Sequence, residues 1–173
     1  MHFRQFPQFD ETNAPAEARP ALTQSKRAFG AIPAPLTRYA SSPLMLGVTL
    51  SGLHGFEQAT LPPLEREVLA MTMGRLNGCR LCLEMHRRLL VKLDAPTPLI
   101  AALEAGAALE DRRLEALRQL VLALVAHHGD VPAPVWTDFR EAGYTHEHAL
   151  ELVMGVGVYT MTTLANRLTE TSE

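Results

Sequence analysis

The fold turns on one stretch, 63-PLEREVLAMTMGRLNGCRLCLEMHRRLLVKLDAP-96. Leu61-Pro62-Pro63 punctuates the chain and opens a helix, because proline is tolerated in a first helical turn but not deeper. Asn77-Gly78 ends that helix, since both residues tolerate the left-handed conformation of a C-terminal cap. Cys79 opens a second helix, which runs through CRLCLEMHRRLLVKL until Asp94-Ala95-Pro96 stops it. Neither segment alternates apolar and polar residues with the period of a strand.

Outward from this pair the same pattern recurs. Upstream, a helix is expected from about Ala16 to Phe29, followed by a Pro/Gly-rich loop, GAIPAPLTRYASSP. Ser41-Ser42-Pro43 starts another helix, and Leu44, Leu46, Val48, Leu50 and Leu53 carry it to about Phe56. Downstream, a short helix near Pro98–Ala105 precedes a long one in DRRLEALRQLVLALVAHHG. There Leu114, Leu117, Val121, Leu124 and Val125 share a face, and Gly129 closes it. PAPVWTDFREAG is a short helix ending at Gly143, and Thr145 with Glu147 and His148 caps a last helix to about Leu168. No β-rich run and no solenoid-length repeat interrupts the series. The expected fold is all-α, a bundle of about seven to eight helices with no sheet, in a single domain over residues 1–173. Residues 1–20 are expected to form an extended arm, with Phe3, Phe6 and Phe9 recurring among prolines and docking on a surface such as a neighbouring subunit.

Bulk composition narrows the function classes. A chain of 173 residues is long enough for a sizeable core, and 47% hydrophobic with 20% charged residues is ordinary for a globular protein. The formal net charge is -3, with acidic and basic residues interspersed, so the basic footprint of a nucleic-acid binder is missing. The N-terminal MHFRQFPQFDETNAPAEARP lacks the apolar run of a signal peptide, and no segment approaches the ~20 apolar residues of a membrane span. A cytoplasmic protein without a membrane partner is expected. In a reducing cytosol, a lone Cys-x-x-Cys is more often redox-active or metal-binding than a structural staple.

The only two cysteines, Cys79 and Cys82, are followed by His86. On a helix the three share one face, and His86 stands one turn beyond Cys82. Cys79 lies at the helix start, where unpaired N–H groups and the positive end of the dipole favour a thiolate. Side chains at i and i+3 of an ideal helix sit ~5–6 Å apart, beyond the ~3.5–4.5 Å between the Cβ atoms of a relaxed disulfide. A bond there would be easily reduced, which suits a cycling disulfide. Glu67, on the preceding helix, shares a face with Met71 and Gly74 and can turn inward as a base or proton relay. Glu65 reads more simply as a favourable acidic first-turn residue.

Two other readings stand beside the redox pair. Zinc would take Cys79, Cys82 and His86, with a fourth ligand from His54, His127 or His128, although structural zinc sites usually bring a second close-spaced ligand pair. Alternatively, both cysteines are inert core residues. A thioredoxin-type site needs a βαβ setting that these helical flanks do not offer. His127 and His128 read as capping residues at a helix C-terminus. His146 and His148 read as surface residues. Gly155 and Gly157 suggest a close helix–helix approach suited to a subunit interface.

Glu67, Cys79, Cys82 and His86 together match E-x11-C-x2-C-x3-H. That pattern resembles the AhpD-like alkylhydroperoxidases of the carboxymuconolactone decarboxylase superfamily. RAFGAIPAPLTRYASSPLML is similar to the family's lead-in, and ANRL to its C-terminal helix, so the resemblance spans about residues 20–168. It implies an all-helical subunit assembling into homo-oligomers, trimers or hexamers. It also implies an enzyme, a peroxidase that reduces hydroperoxides through a cycling Cys79–Cys82 disulfide in antioxidant defence. The disulfide would serve in place of a cofactor, with no bound metal. A dithiol reductant, of lipoyl type as the resemblance implies, would return it to the thiols. Carried over, Cys82 resembles the peroxide-reacting thiol and Cys79 the more exposed resolving one, with Glu67 and His86 as proton relay. Two positions depart from the pattern. Leu81 stands where such peroxidases often carry a second histidine, which implies a shorter relay or a weaker peroxidase, and Ala34 replaces an Asn of the lead-in. The alternatives are a carboxymuconolactone decarboxylase-like enzyme, whose comparable members lack the paired cysteines, and a non-enzymatic zinc-binding or structural helical oligomer.

Overall fold

Proline starts helix after helix in this chain. A computed structural model describes residues 6–169, which hold nine helices and no strand. They are α1 (Arg19–Phe29), α2 (Ala34–Tyr39), α3 (Pro43–Glu57), α4 (Pro63–Leu76), α5 (Arg80–Lys92), α6 (Thr97–Ala105), α7 (Arg112–Ala126), α8 (Ala133–Glu141) and α9 (His146–Thr169). Pro33, Pro62, Pro96 and Pro132 occupy the N-caps of α2, α4, α6 and α8, each with extended backbone angles, and a second proline follows inside the first turn. The first ring holds the cap extended, and the second sits where a missing N–H leaves no bond unmade.

The all-α architecture agrees with the sequence reading, with one helix more than expected. The addition is α2, inside the segment read as a loop. Its two prolines act as a start rather than a break, and Leu36 and Tyr39 fall on one buried face. Asp111 caps α7 by accepting from Leu114 N–H at 2.9 Å. Thr145 and His148 cap α9 reciprocally, each side chain bonding the other's backbone N–H.

The chain forms two compact units, whose boundaries fall within α3 and α9. One comprises residues up to His54 together with those from Leu164. Its core is Ala14, Ala18, Leu22, Leu36, Tyr39, Ala40 and Leu46, and Tyr39 donates its hydroxyl proton to Asn166 Oδ1. Of the expected arm, Phe3 lies outside the described residues. Phe9 packs against this core and its N–H donates to Thr37 O at 3.0 Å. Beyond Phe9 the chain closes into a turn, in which Asp10 Oδ1 accepts from Thr12 N at 2.7 Å and Asn13 N at 3.1 Å. Phe9, Ala14 and Ala18 therefore pack within their own chain.

The second unit is Gly55–Thr163. In α4 every residue from Val68 to Gly74 is buried, so those two turns are enclosed on every side and the helix takes the central place. Helices α5, α6 and α7 pack against it, and α8 packs against α7. Gly155 of α9 belongs to this core. A Cβ there would stand 2.7 Å from Phe56 and 2.8 Å from Leu69. The close approach read from Gly155 is thus made inside the chain, while Gly157 has nothing within 4 Å. No helix among the described residues is long and apolar enough to cross a membrane.

Candidate active site

One turn places the cysteines. Gly78 adopts φ 63°, its N–H donates to Arg75 O at 3.2 Å, and Cys79 N–H donates to Gly74 O at 2.9 Å. This pair of reversed bonds is a Schellman cap, and it needs the left-handed residue that glycine supplies. The residue that completes the end of α4 also begins α5. Cys79 is the N-cap of α5, with extended φ -86° and ψ 93°, and its sulfur accepts from Cys82 N–H at 3.3 Å.

Cys79 and Cys82 are joined as a disulfide, with Cα atoms 5.3 Å apart. The sequence reading placed both residues within an ideal helix, whereas Cys79 stands just outside one. Its extended backbone turns the sulfur back over the first turn of α5. Both residues are buried, Cys79 to 1% exposure and Cys82 to 6%. The order is the reverse of that implied by the resemblance, in which Cys79 is the more exposed. The Schellman turn buries Cys79 against the end of α4, while Cys82 lies one turn further out along α5.

His86 and Glu67 meet. Nδ1 of His86 lies 2.7 Å from Oε2 of Glu67, and the two side chains are 11% and 14% exposed. With Glu67 as a carboxylate, which only accepts, Nδ1 is the donor of this bond and Nε2 is the second ring nitrogen. All four residues of the motif lie in the Gly55–Thr163 unit, Glu67 on α4 and the rest on or beside the first two turns of α5. The set combines two sulfurs that can exchange electrons with a histidine–carboxylate pair that can move a proton.

Of the other described histidines, His146 stands against Trp136, and His148 against Thr145 and Tyr144. His54, His127 and His128 are exposed, and His127 is the C-cap of α7, as its capping role required. Among the described residues, no group of three or more His, Cys, Asp or Glu side chains is arranged to hold a metal ion.

Two arrangements escaped the sequence reading. Glu65 is not a simple first-turn residue. It is buried, and its Oε1 accepts from Arg113 Nε at 2.9 Å. The guanidinium lies 4.0 Å from the Tyr144 ring centroid and also donates to Ala142 O at 2.8 Å. The second is Tyr159, whose ring stands 5.2 Å from the His86 ring at an interplanar angle of 70°. Burial, reinforced by the charges of Glu67 and Glu57, pushes its phenol pKa well above the usual range. Neither partner is signalled by local spacing, since Arg113 and Tyr159 lie far along the chain on α7 and α9.

Comparison with solved structures finds the same fold. A crystal structure described as the alkylhydroperoxidase AhpD core, an uncharacterized peroxidase-related protein from Ralstonia eutropha JMP134, superposes with a TM-score of 0.78 at 18% identity. The match covers 94% of this chain and 86% of that one. An uncharacterized peroxidase-related protein from Silicibacter sp. TM1040 gives a TM-score of 0.77 at 20% identity, covering 95% and 87%. No family model and no curated protein matches the sequence. At these identities the likeness is one of fold, and the fold is AhpD-like.

Proposed function

We propose that this chain is a thiol-dependent hydroperoxide reductase of the alkylhydroperoxidase type, within the carboxymuconolactone decarboxylase superfamily. The observation that carries the reading is the Cys79–Cys82 disulfide at the start of α5, one turn from a histidine already bonded to a carboxylate.

The cycle balances with these groups alone and a dithiol. In the reduced protein, His86 Nε2 takes the proton of Cys82, and the imidazolium charge is stabilised by Glu67 through Nδ1. The Cys82 thiolate attacks the distal oxygen of a hydroperoxide. The O–O bond breaks, an S–O bond forms, and the alkoxide leaves with the proton from His86 as an alcohol. Cys79 then attacks the sulfenic sulfur; an S–S bond forms, the S–O bond breaks, and the thiol proton of Cys79 goes to the departing hydroxide, giving water and the disulfide. A dithiol reductant attacks one sulfur, releases the other as thiolate, and leaves as its own disulfide.

The two positions suit different parts. Cys82, the more open and the one a turn from His86, takes the peroxide and later the incoming thiolate. Cys79, with Cys82 N–H donating to its sulfur at the head of a helix, is the thiol set to resolve the sulfenic acid and to leave as thiolate. This division gives the helix-terminus position of Cys79 a part beside an attacking Cys82.

The test is a stopped-flow peroxide titration with thiol counting on the wild type and on each Cys→Ser variant. Peroxide is expected to consume both thiols of the wild type, to leave Cys79→Ser with a trapped Cys82 sulfenic acid, and to leave the Cys82→Ser thiol untouched. Thiols that remain titratable after peroxide, or full turnover by Cys82→Ser with a dithiol, would end the proposal.

A further inference from the structure

We infer that Tyr159 is a positioning residue for this site, its ring holding the His86 imidazole in register with Glu67; the inference rests on the peroxidase reading for what that register serves, and on the structure for the contact itself.

The contact begins with a missing side chain. Gly155 and Tyr159 lie one turn apart on the same face of α9. Because Gly155 carries no Cβ, that face comes into contact with Phe56 and Leu69, at distances a methyl group would not fit. One turn on, Tyr159 is carried in to 8% exposure between two rings. It meets Phe56 edge to face, with centroids 5.9 Å apart at 82°, and His86 at 5.2 Å and 70°.

His86 needs such a neighbour. Among the described residues its one hydrogen bond runs from Nδ1 to Glu67, and a single bond fixes a point on the ring without fixing its plane. Rotation about that bond would redirect Nε2 while the Glu67 contact survived. A buried aromatic ring packed at a steep angle blocks the rotation, because offset and edge-to-face arrangements are the ones aromatic pairs prefer. Phe56 and the close packing at Gly155 in turn hold the tyrosine. The charged groups that bear on the phenol are Glu67 and Glu57, which favour its neutral form, and Arg66, which opposes them. The phenol therefore stays protonated wherever the site works, so its ring is an uncharged wall throughout the cycle. No hydrogen bond of the hydroxyl is found among the described residues, which leaves the ring as the part that acts.

The experiment uses the full chain with ¹⁵N-labelled histidine, comparing wild type, Tyr159→Phe and Tyr159→Leu. Two signals are read: the His86 ring resonances and steady-state peroxide turnover with a dithiol. In the wild type, His86 is expected to show one protonated Nδ1 species with cross-relaxation to the Tyr159 ring. Tyr159→Phe keeps both signals. Tyr159→Leu broadens the His86 resonances and lowers kcat by on the order of ten-fold, as misplaced catalytic groups do, with KM nearly unchanged. An unaltered His86 spectrum and kcat in Tyr159→Leu would overturn the inference. So would a Tyr159→Phe as impaired as Tyr159→Leu, which would assign the effect to the hydroxyl. If Tyr159→Leu does not fold, the wild-type cross-relaxation and the Phe variant decide alone. Should no variant turn over peroxide while the His86 spectra change as expected, the positioning role stands and the peroxidase reading falls.

Discussion

Glu65 and Glu67 stand two residues apart on α4, and each carboxylate holds a cationic or basic partner. Glu65 faces Arg113, whose charge is permanent at any working pH, under a tyrosine that stacks on the guanidinium. Glu67 faces His86, an imidazole able to take a proton on one ring nitrogen and give one from the other, beside a tyrosine that packs on the ring. Both pairs are a carboxylate, a nitrogen base and an aromatic ring, in the same compact unit. They differ in whether the base can let go of its proton. A pair that cannot do so holds α4 to α7. A pair that can is equipped for chemistry. Residue type and burial alone would not separate them, because the partner decides.

The largest expected effect breaks the chemical pair. Glu67→Gln keeps the shape and removes the charge that stabilises an imidazolium, so peroxide turnover should fall by about 10²-fold or more. Unfolding free energy should change by no more than about 1 kcal/mol, since one hydrogen bond of a neutral amide can replace the lost one. Urea titration read beside turnover separates the two quantities. Equal loss of stability and activity would mean that Glu67 is structural, and the contrast with Glu65 would vanish.

Glu65→Gln is the reverse experiment. The Arg113 guanidinium loses its carboxylate, and the expected loss of stability is about 1–3 kcal/mol. Arg113 is 40% exposed and can turn partly to water, which keeps the loss below that of a sealed ion pair. Specific activity per folded molecule should hold. A variant with native stability and reduced turnover would place Glu65, not Glu67, in the relay.

Each pair also shelters a phenol, and so does the other unit. Burial first, then the Glu65 charge, raises the pKa of Tyr144. Burial first, then the Glu67 charge, raises that of Tyr159, and burial raises that of Tyr39. An acid whose folded pKa is raised stays protonated in the folded chain while the unfolded chain ionises. Its stabilisation is complete below the unfolded value near ~10 and is lost as pH climbs past it. Stability should therefore decline steeply above about pH 10, by up to ~1.4 kcal/mol per pH unit for each phenol. Tyr144→Phe and Tyr159→Phe should each remove one share of that slope, a difference that urea titrations across the alkaline range resolve. A slope unchanged in both variants would show that their phenols ionise freely when folded.

The chemical pair was far more legible in the sequence than the structural one. Cys82 and His86 are one helical turn apart, so periodicity alone brings them to one face; Cys79 precedes that helix by one residue, and Glu67 lies across a turn whose Asn77-Gly78 signature is local. Arg113 reaches Glu65 only through the packing of α7 on α4, which no local pattern encodes. Tyr159 looks like any aromatic in an apolar helix. The helix α2 was hidden because two prolines in three residues read as a loop, although both occupy positions that a helix start tolerates. Spacing alone sets Cys79 inside the helix rather than at its N-cap, and does not carry the burial order of the two cysteines, 1% and 6% exposed. Capping geometry depends on the φ of Gly78, whose consequences for burial appear only once α4 and α5 pack.

A third carboxylate marks the limit of the comparison and carries the smallest expected effect. Glu115, on α7, accepts from Arg118 Nε and Nη2 at 2.8 Å each, from Gln119 Nε2 at 2.7 Å and from Leu109 N–H at 2.9 Å. By contrast, Oε2 of Glu65 meets no donor among the described residues. Burial alone would raise the Glu115 pKa, but the donors outweigh it and the pKa is lowered from 4.5. A carboxyl whose folded pKa is depressed binds fewer protons folded than unfolded between the two values. Its stabilisation is therefore complete above the unfolded value and disappears as pH falls through the folded one. The unfolding free energies of wild type and Glu115→Gln should differ most at neutral pH and converge as pH drops below about 4.5. Because Glu115 is partly solvent-exposed, the gap at neutrality should be small. A gap that widens in acid would mean the four donors are outweighed by desolvation after all, and that hydrogen-bond count does not rank these three carboxylates.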